Sequence, residues 1–102
     1  MMIDQCLKGW TVLENLVLKE NILQLDKWGI QVHEPAEWLM FATEELGETA
    51  DAISEWQYRG GSAENVVKEA IQTATLMLKI AEMYQVLVES KGETNGVYLP
   101  RG

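Results

Sequence analysis

Three carboxylates fall within five residues, Glu44-Glu45-Leu46-Gly47-Glu48, in a stretch whose apolar residues recur at helical spacing. At about 100° of turn per residue, Glu45 and Glu48 stand about 60° apart and Glu44 falls beyond Glu48, so all three share one face. Leu39, Ala42, Leu46, Ala50 and Ile53 form the opposite stripe, which is expected to face the core and leaves Glu45 at the seam. A further acidic residue, Glu69, comes 21 residues after Glu48 in another helical stretch, with Val66, Thr73, Leu76 and Ile80 as its wheel neighbours. An ionised carboxylate on an apolar face is costly unless it is paired or binds metal. Two helices packed with these faces together would form an acidic pocket suited to a hard divalent cation such as Mg2+. Acidic helical stretches are most often solvated faces, and that simpler account covers Glu44, Glu48, Asp51 and Glu55 taken alone. It does not cover Glu69 among apolar residues, although pairing with Lys68 near a helix start is an alternative.

The elements that must position these residues are all helical. From Ile3 to about Asp26, apolar residues at Ile3, Leu7, Trp10, Leu13, Val17, Leu18, Ile22 and Leu25 predict a first helix, with a break near Gly9. Trp28, Gly29 and His33 belong to the connection that follows. Pro35 suits the first turn of a second helix, where its missing N–H costs nothing, and that helix runs to about Gln57. Gly60-Gly61-Ser62 breaks the chain, with Ser62 as N-cap of a third helix over about Ala63 to Ser90. This third helix is apolar on most sides, as expected of a helix buried in a bundle or at a subunit interface. Gly92 suits the position just past its end, and Glu93 to Gly102 reads as an extended tail. No period-two alternation is sustained, so the expected fold is all-α, a helical bundle completed by dimerisation.

At 102 residues the chain fits one domain over 1–102, large enough for a modest core. Its 47% apolar content, with four tryptophans and five methionines, is rich for that length, and some of the surface is expected to close in an oligomer. The net charge of -8 argues against a nucleic-acid partner, since such binders cluster Lys and Arg. It leaves a nucleotide possible, because metal ions can hold the phosphates. Cys6 is the single cysteine, so no intrachain disulfide forms and a plain core or surface thiol is the expectation. With no signal-like segment and no membrane span, a cytoplasmic location is the default.

Glu44-Glu45-x-x-Glu48, followed by Glu69 early in the next helix, resembles the all-α nucleoside triphosphate pyrophosphatase superfamily, the MazG-like proteins. Their pattern is a glutamate pair, a third glutamate three residues on, and a later Glu-x-x-Asp. The segment Trp28 to Pro35 leading into Trp38-Leu39 is similar to what precedes that motif, and the resemblance spans roughly residues 26 to 82. It implies Mg2+-dependent hydrolysis between the α- and β-phosphates of a nucleoside triphosphate, giving monophosphate and pyrophosphate. It further implies magnesium ligation by Glu45, Glu48 and Glu69, with Glu44 as an added ligand or as the group that orients or deprotonates water. The fourth ligand position holds Gln72 where the family has Asp. An amide oxygen is a neutral, weaker ligand that could instead hold a metal-bound water.

Trp28 and His33 are placed near the base, by stacking and hydrogen bonding, although core packing and helix capping are the commoner roles of such residues. Trp38 and Trp56 fall beside Glu45 on the wheel and could wall the cleft, with core packing as their commoner role. Lys79, Lys91 and Arg101 are the candidates for phosphate contact, and Lys91, Asn95 and Tyr98 loosely resemble the basic tail of relatives. The expected partners are a nucleoside triphosphate substrate and a second copy, as a homodimer or dimer of dimers. Two alternatives remain open: a catalytically weak helical dimer that binds nucleotide or a protein, and a phosphoribosyl-ATP pyrophosphohydrolase.

Overall fold

The computed structural model of the chain describes residues 3–90, with side chains from residue 8 onward. It contains three helices, α1 (Ile3–Trp28), α2 (Pro35–Tyr58) and α3 (Ala63–Glu89), and no strand among the described residues. The all-α class expected from the periodicities is the one found. α1 runs through Gly9 without the expected break. A single glycine costs a helix interior only about 1 kcal/mol relative to alanine, too little to interrupt 26 residues of otherwise compatible sequence.

The helix ends follow local chemistry. Gly29 takes φ +75° and donates its N–H to the Leu25 carbonyl at 2.8 Å, closing α1 in the left-handed conformation that side-chain-bearing residues rarely adopt. After α2, Gly60 takes φ +76°, and its neighbours close the helix: the Arg59 and Gly61 N–H groups donate to the Glu55 carbonyl at 2.9 and 2.8 Å. Pro35 opens α2, and the Glu37 carboxylate accepts the Glu34 backbone N–H at 2.9 Å. Ser62 caps α3 as expected, its Oγ accepting the Asn65 N–H at 3.1 Å. At the far end the Ser90 N–H donates to the Val86 carbonyl; the expected cap Gly92 and the tail beyond it lie outside the described residues.

The four-residue link between α2 and α3 makes them an antiparallel hairpin, and α3 packs far more extensively on α2 than on α1. Trp38, Ala42 and Leu76 form the buried cluster, with Phe41, Ile80 and Met83 packed against it. Halfway along, the Thr49 and Thr73 hydroxyls meet at 3.2 Å, a polar contact that fixes the register of the hairpin. α1 lies against α3 alone, tied to it by the Lys79 ammonium donating to Asn21 Oδ1 at 2.6 Å. No helix among the described residues is long and apolar enough to cross a membrane.

The α2 stripe expected in the core is not there. Leu39, Leu46 and Ile53 are exposed, and only Ala42 of that set is buried together with Trp38 and Ala52. The line of α2 that meets α3 is Trp38, Ala42, Glu45, Thr49 and Ala52, rotated by about 80° from the apolar stripe. Helix-wheel hydrophobicity identified an apolar face correctly but could not say which neighbour it meets.

Candidate metal centre and its cleft

The rotation of α2 is what builds the site. With Thr49 and Ala52 against α3, Glu45 must point into the hairpin, toward the α3 face that carries Glu69. Carboxylate oxygens of Glu45, Glu48 and Glu69 lie within 4.8 Å of one another, so the three expected metal ligands are brought together from two helices. Glu45 and Glu69 are half-buried, and Glu48 is exposed. Beneath them, the Thr49 and Thr73 hydroxyls can each donate to the carbonyl four residues earlier, of Glu45 and Glu69 respectively, or to one another. Two protons serve these three contacts. The pair thus links the backbones that carry the two half-buried acids.

Gln72 joins the same cluster. With its amide nitrogen turned toward the carboxylates, the orientation that hydrogen bonding selects, it donates to Glu69 Oε1 and to Glu45 Oε2, both at 3.0 Å. Glu69 therefore pairs across one helical turn with Gln72, the three-residue neighbour that shares its face. The alternative partner, Lys68, lies on the side of α3 turned to α1.

These charges are poorly compensated. Burial, followed by the repulsion of Glu48 and Glu69, pushes the Glu45 carboxyl up from its ordinary value near 4.5 to about 7. An all-oxygen set of three carboxylates drawn from rigid helices fits a hard divalent cation in ligand chemistry, and a cation there would remove the repulsion that raises Glu45.

Glu45 and Gln72 also wall a cleft of about 920 Å3 between the C-terminal part of α1, the 29–33 connection, and the hairpin. Glu48 and Glu69 are not part of its wall. Glu44, exposed, stands on the wall beside Glu45. Trp28, 58% exposed, lines the cleft with the Lys27 ammonium 4.7 Å from its ring centroid. His33 is half-buried, its ring edge-on to Trp38 and Phe41 at centroid distances of 4.8 and 5.1 Å, and its Nδ1 is 3.6 Å from Glu37. Lys79 also lines the cleft, its ammonium 5.6 Å from the Trp38 ring centroid.

No protein-family model, no curated protein and no solved structure matches the chain.

Of the residues expected at the site, Glu44, Glu45, Gln72, Trp28, His33, Trp38 and Lys79 share the cleft, and Glu48 and Glu69 adjoin it through Glu45. Trp56 does not wall it. That tryptophan is half-exposed, and 11 residues beyond Glu45 it stands about 16 Å further along α2. Lys91, Asn95, Tyr98 and Arg101 lie outside the described residues. Two contributors escaped the sequence reading. Phe41 could have been found from its three-residue spacing to Trp38, which puts both rings on one side of α2. Asn21 could not, because nothing local marks an amide whose lysine partner is 58 residues away.

Proposed function

We propose that the chain is a Mg2+-dependent nucleoside triphosphate pyrophosphohydrolase of the MazG-like type, converting a nucleotide, ribo or deoxy, to its monophosphate and pyrophosphate. The observation that carries this reading is the convergence of Glu45, Glu48 and Glu69 at the edge of a cleft that also holds the Trp28 and Trp38 rings and the Lys27 and Lys79 ammoniums, alongside the acids Glu20, Asp26 and Glu82. A divalent cation bound there supplies neutralisation of the phosphate charge and alignment of the attacking water. Glu45, Glu48 and Glu69 would hold it. Glu44, on the wall next to Glu45, would serve as an added ligand or as the group that orients or deprotonates the attacking water. The Lys79 ammonium, held by Asn21, offers the phosphates a fixed positive charge. Trp28 offers an exposed ring face for the base, with His33 beside it at the cleft wall. Pool cleaning is the use that this chemistry suits.

One observation favours the weaker reading, a nucleotide binder with little turnover. Gln72 already bridges Glu45 and Glu69 with hydrogen bonds, taking up lone pairs that a cation would use. Pyrophosphate release from a panel of nucleotides and phosphoribosyl-ATP, with and without Mg2+, separates the readings. The hydrolase reading expects Mg2+-dependent release from nucleoside triphosphates by the unmodified chain. Release only from phosphoribosyl-ATP would reassign the substrate. Release only after Gln72→Asp would favour the binder, and a chain inert in both forms that also fails to bind Mg2+ by calorimetry would end the proposal.

A further inference from the structure

Lys79 has an unusual partner for a lysine in so acidic a chain. Acids outnumber Lys and Arg by 16 to 8, and Glu20, Asp26, Glu44, Glu45 and Glu82 line the same cleft as this half-buried side chain. None of these carboxylates pairs with it among the described residues, where the ion pairs are His33 with Glu37 and Arg59 with Glu55. The Lys79 ammonium donates instead to Asn21 Oδ1 at 2.6 Å, a neutral acceptor on α1. Glu20, one residue earlier and on the cleft wall, accepts the Gln24 amide at 2.8 Å.

Position and charge are thereby separated. Asn21 is half-buried and does not line the cleft, whereas Lys79 does. A lysine ammonium has three N–H donors and no acceptor. Asn21 takes one donor, and the Trp38 ring centroid lies 5.6 Å from the nitrogen. Both partners hold the ammonium without supplying a formal negative charge, so the cleft receives a located, uncancelled cation with donors to spare. Lys79 follows Gln72 by seven residues, which is two turns and about 10 Å along the same side of α3, with Leu76 between them on the cleft wall. The acid cluster at one end and the ammonium at the other suit an anionic chain that reaches from a bound cation to Lys79.

We infer that Asn21 is a positioning residue for anion recognition: its neutral amide aims the Lys79 ammonium into the cleft while leaving the charge for the ligand, a polyphosphate chain. The inference rests on the nucleotide reading of the cleft for the identity of the anion, and it deepens that reading by naming what sets phosphate affinity. A carboxylate at position 21 would hold the lysine more firmly and cancel the charge it offers. A methyl group there would leave the charge and release the hold. A purely structural tie between α1 and α3 ranks these two replacements one way, and a positioned charge ranks them the other.

The test compares Asn21→Asp and Asn21→Ala in the full chain, reading thermal stability and calorimetric affinity for inorganic tripolyphosphate in the presence of Mg2+. Asn21→Asp is expected to melt above Asn21→Ala yet to bind tripolyphosphate about tenfold or more weakly than the unmodified chain. Asn21→Ala, which loses one hydrogen bond, should weaken binding only about threefold. Lys79→Gln is expected to lose as much affinity as Asn21→Asp, and in its background Asn21→Asp should cost little more. Where the unmodified chain releases pyrophosphate from a nucleotide, Asn21→Asp should raise KM by a larger factor than it lowers kcat. Asn21→Asp binding more tightly than Asn21→Ala overturns the inference, as does an Asn21→Asp loss that persists undiminished in the Lys79→Gln background. Full affinity in Lys79→Gln, or no affinity for tripolyphosphate in the unmodified chain, overturns it whatever Asn21→Asp does, so a misfolded variant cannot shelter it. An unmodified chain that binds tripolyphosphate through Lys79 but hydrolyses no nucleotide upholds the inference and sinks the reaction instead.

Discussion

The two long sides of one helical hairpin present opposite problems. Toward α1, Glu45, Glu48 and Glu69 crowd within 4.8 Å with only the Gln72 amide between the half-buried pair. On the other side, Leu39, Leu46, Ile53 and Met77 face outward with no charge among them. The first side has too little positive charge and the second too little apolar cover. The same two helices carry both because a helix face is set by spacing, whereas satisfaction of that face depends on what arrives against it. A small, hard, charged ligand would satisfy the acidic side and a large surface the apolar side, and one cannot substitute for the other.

The comparison predicts where substitutions will hurt. Trp38→Ala, within the buried cluster, should cost about 3 to 5 kcal/mol of stability. Leu46→Ala should cost at least about 2 kcal/mol with a concentration-dependent Tm, although in a lone chain an exposed leucine would contribute within about 0.5 kcal/mol. Thermal melts at several protein concentrations check both, and a concentration-independent Leu46→Ala loss would break the contrast between the sides.

On the acidic side, Glu45→Gln and Glu69→Gln should each lower Mg2+-dependent turnover about a hundredfold or more, equivalent to about 2.7 kcal/mol, with helical content unchanged. Full activity in both variants would remove the metal assignment. Trp28→Ala should weaken nucleotide binding by about 1 to 3 kcal/mol and flatten discrimination among bases. Equal KM values for the variant and the unmodified chain across bases would leave Trp28 a ring without a substrate.

The smallest effect is the most diagnostic of crowding. The Glu45 carboxyl is raised to about 7, so between roughly pH 4.5 and 7 the folded state binds more protons than the unfolded one. Stability therefore falls as pH rises through that window, by about 1 kcal/mol once solvent screening is allowed for. Glu45→Gln should abolish this slope, and Mg2+ should reverse it, because ionised Glu45 then has a partner. Denaturant melts at a series of pH values measure it; stability that rises over the window in the metal-free chain would contradict the crowding.

Local sequence determined a good deal of this protein. Periodicity set three helices, Pro35, Ser62 and Gly60 set where two of them start or stop, and the three-residue steps from Glu45 to Glu48 and from Glu69 to Gln72 set which acidic and amide groups share a face. These are properties of a few neighbouring residues and need no partner. The tertiary structure alone decided which face of α2 meets α3. The wheel favoured Leu39, Leu46 and Ile53, yet Trp38, Ala42, Thr49 and Ala52 make the contact, because the small Ala42, Thr49 and Ala52 let the helices approach beside the buried Trp38 ring and the threonine pair fixes the register. That rotation of about 80° turned Glu45 from a seam residue into a half-buried one, gave it its raised pKa, and left the leucine stripe facing outward. Hydrophobic periodicity measures how apolar a face is; its neighbour is chosen by shape and by long-range pairs such as Asn21 with Lys79, which no local pattern encodes.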